Sequence, residues 1–215
     1  KLDGIIAISK ADEQSILNMG VKTDVISIPV AIEKNTRVES VKFNPSVFHL
    51  GAMDWQPNIE AVNRLVQIHT EAIEKNKGFK LIIGGKNAAD FKITSSSKEI
   101  ENVGFIDNLD EFSRTAGILV SPIISGSGVR IKILEMMGKG IPVITTAIGA
   151  KGINYTEHKC LLIAGDNYDF IEKIQLLREN DLLREELAQN AIVYIEKYHS
   201  IDEITKTLRE FIQRK

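Results

Sequence analysis

Short apolar runs alternate with stretches of helical periodicity along most of the chain. The runs are rich in Val, Ile and Leu, which is typical of strands that are buried on both faces. The predicted strands are Val47–Gly51, Lys80–Gly84, Asn102–Ile106, Gly117–Ser121, Ile141–Thr145 and Cys160–Ile163. The predicted helices are Asn58–Lys75, Leu109–Thr115, Ile131–Gly138, Tyr168–Arg178, Asp181–Glu196 and Ile201–Arg214. This alternation predicts an α/β fold with a Rossmann-like, doubly wound parallel sheet.

The N-terminal segment stands apart from this regular alternation. Leu2–Ser9 has the pattern of a strand, and Lys10–Met19 has that of a short helix. Asp24–Ile28 has the pattern of a second strand, which ends before Pro29. A polar, irregular stretch, Glu33–Pro45, follows. We therefore expect a small unit that precedes one larger domain.

Turns that contain glycine follow several of the predicted strands. Gly51 and Gly84 end the first two strands of the larger domain, and the loop Ser125–Gly128 follows the fourth. Ligands of doubly wound sheets bind outside the carboxyl ends of the strands, where these turns lie. We therefore expect the three turns to meet at one edge of the sheet.

The loop Ser125–Gly128 leads directly into a predicted helix that carries Arg130, Lys132 and Glu135. A helix N-terminus presents unpaired backbone N–H groups and the positive end of the helix dipole, so it suits a phosphate. Arg130 and Lys132 add positive charge there, and glycines let a ligand approach the backbone closely. This segment therefore predicts an anion site.

Glu135 lies about one helical turn beyond the loop, where its carboxylate can accept hydrogen bonds from hydroxyl groups. An ion pair with Lys132 on the same helix face is the alternative role. A segment that binds phosphates at one end and hydroxyls at the other suits a nucleotide sugar.

The residues around Glu135 form a recognisable pattern. The matching positions are Glu135, Met136, Met137, Gly138, Gly140, Pro142, Val143 and Ile144. They resemble the donor-binding segment of retaining glycosyltransferases with the GT-B fold, in particular the GT4 family. That family has a first glutamate eight positions earlier, where this chain has Ser127. The chain is more similar to the branch with a Gly-x-Gly-x-Arg-x-Lys string, which Gly126, Gly128, Arg130 and Lys132 fit.

The resemblance implies an enzyme that transfers a sugar, with retention of configuration, from a nucleotide donor. It implies that Arg130, Lys132 and Glu135 assist the reaction. The implied donor-binding residues are Gly51, Gly84, Phe105, Ile106, Gly126, Ser127, Gly128, Val129, Arg130, Lys132 and Glu135. Phe105 and Ile106 lie in a segment similar to the loop that holds the base; alternatively, it is a plain strand end at which Asp107 and Asn108 cap the next helix. We expect a UDP- or GDP-linked donor, no cofactor and no metal ion.

The resemblance also assigns domains. Residues 1–32 resemble the end of an N-terminal acceptor domain and its linker, and residues 33–199 resemble the donor-binding domain. Residues 200–215 resemble a C-terminal helix that crosses toward the acceptor domain. Because the chain starts at Lys1 without a methionine, we expect the missing N-terminal domain upstream in a longer protein. The acceptor is unknown, with a saccharide or lipid-linked saccharide plausible, and we expect the isolated fragment to be inactive.

The composition fits a folded, cytoplasmic protein without a nucleic-acid partner. The chain is 43% hydrophobic and carries a net charge of −2, so its balance is neither strongly basic nor typical of disorder. Its one cysteine, Cys160, excludes an internal disulfide, and its four histidines lack metal-ligand spacing. Apolar runs are shorter than the ~20 residues that span a bilayer. Peripheral attachment to the inner membrane face through the missing domain stays open.

Other functions are compatible with parts of the sequence. Loss of the first glutamate leaves open a nucleotide-sugar epimerase on the same fold, or a module that binds nucleotide sugars without activity. A dinucleotide-dependent oxidoreductase requires Gly-x-Gly-x-x-Gly after the first strand, which the sequence after Gly51 does not supply. Trp55, near the first helix, is compatible with packing between domains and with covering the core.

Overall fold

The computed structural model describes residues 2–33, 43–115 and 117–213, in which strands and helices alternate. The strands are β1 (Ile5–Ala7), β2 (Val25–Ser27), β3 (Val47–Leu50), β4 (Leu81–Gly84), β5 (Ile100–Gly104), β6 (Ile118–Ser121), β7 (Val143–Thr145) and β8 (Leu162–Ile163). The helices are α1 (Lys10–Asn18), α2 (Gln56–Glu74), α3 (Leu109–Thr115), α4 (Ile131–Gly138), α5 (Tyr155–His158), α6 (Asn167–Glu179), α7 (Asp181–His199) and α8 (Ile201–Gln213).

The strands from β3 to β8 form one six-stranded parallel sheet in the order β5-β4-β3-β6-β7-β8. Val47 of β3 lies opposite Leu81 of β4 on one side and Ile118 of β6 on the other. The chain builds outward from β3 to β5 and then returns to the other side of β3 to continue with β6. The predicted α/β fold with a doubly wound parallel sheet is confirmed. Its crevice lies between the carboxyl ends of β3 and β6.

Helices pack on both faces of the sheet. Val47 belongs to a buried cluster with Leu65 of α2 and Phe170 of α6. Its neighbour Phe48 belongs to the cluster on the opposite face, with Leu134 of α4. These five side chains are fully buried, and the burial of an apolar side chain of this size contributes ~1.5–3 kcal/mol. Burial on both faces explains why β3 has a continuous rather than an alternating apolar pattern.

The sheet edges differ from the sequence prediction. β5 spans Ile100–Gly104, so it begins and ends two residues before the predicted strand. It lies at the end of the strand order, and an edge strand needs no continuous apolar run. The apolar residues Phe105 and Ile106 therefore fall in the loop after β5. At the other edge, β8 is shorter than predicted, and the four-residue α5 before it was not predicted because so short a helix shows no periodicity.

The N-terminal unit has a sheet of its own. β1 and β2 pair in parallel, with α1 between them in the sequence. Phe211 of α8 packs on Gly4, where a Cβ atom would lie 2.7 Å from the ring. The backbone N–H of Ile32 donates to the carbonyl oxygen of His199, the last residue of α7, at 2.8 Å. The unit is therefore in contact with α8, and the segment after it is bonded to the end of α7.

The predicted domain boundaries at residues 32 and 199 stay predictions, as does the assignment of the first unit to an acceptor domain. The predicted irregular segment Glu33–Pro45 lies mostly outside the described residues, since residues 34–42 are not among them.

Candidate functional site

The loop between β6 and α4 leaves the sheet at its crevice. Two threonines at the end of β7 hold its beginning: the Thr145 hydroxyl donates to the Ser121 carbonyl oxygen at 2.7 Å, and the Thr146 hydroxyl donates to the Ile123 carbonyl oxygen. These hydrogen bonds are buried, so they are shielded from competition with water. The loop therefore starts from a fixed point next to the carboxyl end of β3.

Two glycines give the loop its shape. Gly126 has a φ angle of +90° and Gly128 one of +85°, both in the left-handed region. An L-residue in that region costs roughly 1–2 kcal/mol, whereas glycine adopts it freely. The loop then enters α4, whose N-cap residue is Arg130, and the Arg130 side chain makes no cap hydrogen bond. The Ile133 N–H already donates to the Arg130 carbonyl oxygen at 2.9 Å, and the N–H groups before it are left for another acceptor.

Arg130 is turned toward the loop itself. Its Nη1 donates to the Ser127 carbonyl oxygen at 2.7 Å, and its Nη2 donates to the Ser125 carbonyl oxygen at 3.0 Å. The guanidinium lies 5.0 Å from the centre of the Trp55 ring. Its Nε is buried without a hydrogen-bond partner among the described residues, and desolvation lowers the pKa of the side chain. The expected contact of Arg130 with a phosphate stays a prediction.

Lys132 and Glu135 form an ion pair one turn apart on α4. The Lys132 Nζ lies 3.1 Å from Glu135 Oε2, so the alternative pairing considered from the sequence is present. The same oxygen is buried and makes no well-aligned hydrogen bond within the described part of the chain. The Glu135 side chain as a whole is 32% exposed, so a hydroxyl donor can reach its carboxylate while Lys132 stays nearby.

The glycines at the ends of β3 and β4 allow close packing. A Cβ atom on Gly85 would lie 2.1 Å from the Gly51 carbonyl oxygen. A Cβ on Gly51 would lie 2.6 Å from the Asn58 side chain, and one on Gly84 would lie 2.7 Å from Ile106. The structure thus brings the turns after β3 and β4 together as expected. Packing alone accounts for these glycines, and donor contacts at Gly51 and Gly84 stay predictions.

Of the two roles considered from the sequence for the segment after β5, the structure shows the helix cap. Phe105 is 63% exposed, whereas Ile106 packs against the core beneath it. The Asn108 side chain accepts from the Glu111 N–H at 3.0 Å, so Asn108 caps α3. β5 lies three strands from β6, about 14 Å at the usual strand spacing of ~4.8 Å. Phe105 and the β6–α4 loop therefore lie three strands apart along one edge of the sheet, and base binding at Phe105 stays a prediction.

Sequence reasoning missed Glu60, Lys86 and Asp54, and it considered Trp55 only for packing. The Ser125 hydroxyl donates to Glu60 of α2 at 2.6 Å, and Trp55 stacks on Arg130. Lys86, in the loop after β4, forms an ion pair with Asp54 at 3.2 Å. Their signal in the sequence is position, because each follows β3 or β4, and ligands of such sheets bind at the carboxyl ends of the strands.

The described residues contain no helix long and apolar enough to cross a membrane. Within residues 2–33, 43–115 and 117–213, no group of three or more His, Cys, Asp or Glu side chains is arranged to hold a metal ion.

Comparison with solved structures shows the same fold in larger proteins. TarM from S. aureus, as a variant in complex with Fondaparinux, alpha-GlcNAc-glycerol and UDP, has a TM-score of 0.81 at 18% identity, over 98% of this chain and 44% of TarM. Anabaena HepE in complex with UDP-glucose has a TM-score of 0.75 at 17% identity, over 99% of this chain and 64% of HepE. The pneumococcal O-GlcNAc transferase GtfA, in complex with UDP and GlcNAc, has a TM-score of 0.74 at 16% identity, over 99% of this chain and 45% of GtfA.

Sequence comparison gives the family. An uncharacterized 44.6 kDa protein in the cps region of Klebsiella pneumoniae is 25% identical over 175 residues, which are 77% of this chain and 45% of that protein. The chain therefore spans less than half the length of this curated relative. The family model for glycosyl transferases group 1 matches residues 44–180, which hold the six-stranded sheet and the β6–α4 loop. Since this match covers more than half of the chain, the protein belongs to the group 1 glycosyl transferases.

Proposed function

We propose that the chain is the donor-binding part of an enzyme that moves a sugar from a nucleoside-diphosphate sugar to an acceptor. The observation that carries the proposal is the N-terminus of α4. The side chain of its N-cap residue, Arg130, makes no cap hydrogen bond there. Two left-handed glycines lead into it, and Lys132 and Glu135 follow within its first turns. Membership of the group 1 glycosyl transferases makes a nucleotide sugar the natural ligand of this site.

In this proposal the donor lies along the edge of the sheet that is formed by the carboxyl ends of the strands. Its diphosphate accepts from the N–H groups at the start of α4 and faces Lys132, where the helix dipole favours negative charge. Its ribose hydroxyls donate to the carboxylate of Glu135, whose side chain is 32% exposed. Its base lies toward the exposed ring of Phe105, about 14 Å from the loop at ~4.8 Å per strand. That span is comparable with the length of an extended nucleoside diphosphate.

The same groups assist the chemistry. When the glycosidic bond breaks, its oxygen leaves with the diphosphate and carries the developing negative charge. N–H donors and the Lys132 ammonium, already in place before the reaction, stabilise that charge. We propose that they do so without a metal ion, and that configuration is retained as in the GT4 family that the sequence resembles.

The binding half of the proposal is tested by calorimetry with UDP, GDP, ADP and NAD in the presence of EDTA. UDP is the first probe because it is bound in the TarM and GtfA structures. We expect a nucleoside diphosphate to bind, and Lys132→Ala to weaken it about tenfold, since a charge-assisted hydrogen bond contributes about 1.5–3 kcal/mol. Lys98→Ala, which removes an exposed lysine outside the site, is the matched control.

Two outcomes would contradict the proposal. Failure of all the nucleotides to bind the folded protein refutes donor binding by this chain. Preference for NAD would instead support the dinucleotide enzyme that the sequence left open.

Transfer by the whole protein is tested separately, because the chain spans only 44% of TarM and 45% of the Klebsiella relative. We expect the longer protein to release UDP or GDP from its sugar donor in the presence of acceptor. The expectation that the 215 residues alone are inactive stays a prediction and is checked in the same assay. Conversion of the donor to its epimer without nucleotide release would support the epimerase alternative.

A further inference from the structure

Arg130 has its polar contacts inside its own loop. Both Nη atoms donate to loop carbonyls, those of Ser127 and Ser125, at 2.7 and 3.0 Å. Only 7% of the residue is exposed, and its Nε is buried. A guanidinium that binds a ligand phosphate in a two-pronged geometry directs a pair of N–H groups away from the protein. Here that geometry is used to close the loop on itself.

Trp55 covers this arrangement from α2. The Arg130 guanidinium lies 5.0 Å from the centre of the indole ring, within the range of a cation–π contact. Gly126 fits between them: a Cβ atom there would lie 3.1 Å from Arg130 Nη2 and 3.3 Å from the Trp55 ring. The indole, the guanidinium and the loop backbone therefore form one packed contact.

A second contact joins the same two elements. Glu60 lies one turn into α2, and its Oε2 accepts a hydrogen bond from the Ser125 hydroxyl at 2.6 Å. We call Trp55, Glu60, Ser125, Gly126 and Arg130 together the loop anchor. It connects the element after β3 with the loop after β6, and it therefore bridges the crevice of the sheet.

We infer that Trp55 and Arg130 are positioning residues of the donor site, which hold the β6–α4 loop so that its N–H groups and Lys132 face the ligand. The effect on donor affinity rests on the proposed function, whereas the fixing of the loop does not. Two glycines give this loop many accessible conformations, so a loop without its anchor must be ordered anew when a ligand binds. Lys132, which is exposed and lies outside the anchor, is the cation that meets the ligand charge.

The ligand-free test is amide hydrogen exchange of the loop and of the first turn of α4, where the N–H groups of Ile133 and Leu134 donate to the Arg130 carbonyl oxygen at 2.9 and 3.3 Å. Trp55→Leu should accelerate exchange in this segment about three- to tenfold, as expected for the loss of a cation–π contact. Arg130→Ala should accelerate it at least as much, because it also removes two hydrogen bonds. Lys132→Ala removes the same charge two residues away and should leave exchange unchanged. Equal protection of the loop in all the proteins overturns the inference, whether or not a nucleotide binds. Trp55→Phe keeps an aromatic face and should restore most of the protection, which also covers the case that Trp55→Leu does not fold.

The binding test uses UDP titrations at several salt concentrations. Trp55→Leu and Arg130→Ala should each lower the affinity for UDP about three- to tenfold. The double variant should lose no more affinity than the weaker-binding single variant. The salt dependence of UDP affinity should be the same in Arg130→Ala as in the unaltered protein. It should become shallower in Lys132→Ala, because only this variant removes a charge that contacts the ligand. Additive losses, or a shallower salt dependence in Arg130→Ala, overturn the positioning role in favour of direct phosphate contact. If UDP does not bind the unaltered protein while the exchange results hold, the proposed function fails and the fixing of the loop stands.

Discussion

Alanine at Gly126 and at Gly128 gives a matched pair of perturbations. Both glycines are left-handed, at φ +90° and +85°, so both substitutions impose a similar backbone cost. Their surroundings differ. A Cβ at Gly126 would lie 3.1 Å from Pro57, 3.1 Å from Arg130 Nη2 and 3.3 Å from the Trp55 ring, whereas one at Gly128 would have no atom within 4 Å. The difference between the variants therefore measures the contacts of the loop at Gly126 with Arg130, Trp55 and Pro57.

The magnitudes follow from these contacts. The left-handed conformation costs roughly 1–2 kcal/mol, offset by about 0.4–1 kcal/mol because alanine restricts the unfolded chain. Gly128→Ala should thus destabilise the loop conformation by roughly 0.5–1 kcal/mol. Gly126→Ala must also displace Arg130 or Trp55, with the loss of about 1 kcal/mol for a cation–π contact and about 1 kcal/mol for a hydrogen bond. Its total should reach roughly 2–3 kcal/mol.

Hydrogen exchange of the loop and calorimetry with UDP measure the difference between the two glycine variants. We expect loop protection and UDP affinity to fall about two- to fivefold in Gly128→Ala and about thirtyfold or more in Gly126→Ala. The global melting temperature should change less than these values imply, since a loop opens locally before the domain unfolds. Equal losses in the two variants, or a larger loss in Gly128→Ala, would refute the reasoning.

Three further predictions concern single residues. Glu135→Gln should lower the affinity for UDP severalfold and that for 2′-deoxy-UDP less, as measured by calorimetry, because a charged acceptor for ribose hydroxyls is lost. Equal losses of affinity would favour pairing with Lys132 as the role of Glu135. Burial lowers the pKa of His49 and of His199, so below pH ~6.5 the unfolded state binds more protons than the folded state. The free energy of unfolding should therefore fall as the pH drops from there through the folded pKa values. The decrease is at most about 1.4 kcal/mol per pH unit for each histidine. Urea midpoints that do not change between pH 7 and 5.5 would contradict this. Gly84→Ala should destabilise the domain by ~1–3 kcal/mol in urea unfolding, because its Cβ would meet an Ile side chain at 2.7 Å; an unchanged midpoint would show that the neighbour moves freely.

Local patterns in the sequence were sufficient for the sheet and for the loop and helix start of the candidate site. The continuous apolar runs at β3 and β6 predicted strands buried on both faces, because such burial removes the usual alternation. The string from Ser125 to Glu135 predicted a loop, a helix start and its charged first turns, since glycine conformation and helix periodicity depend on near neighbours. The edge strand β5 was displaced by two residues because pairing with β4, not its own composition, sets its ends.

The direction of each side chain at the site was decided only by the tertiary structure. The sequence showed that Arg130 lies at a helix start but gave no sign that it turns inward to the loop carbonyls. Its cover, Trp55, is 75 residues away in the chain and reaches it only because β3 and β6 are neighbours in the sheet. Glu60 meets Ser125 for the same reason. Contacts between distant residues depend on strand order, which the chain as a whole determines through burial and which no local window contains.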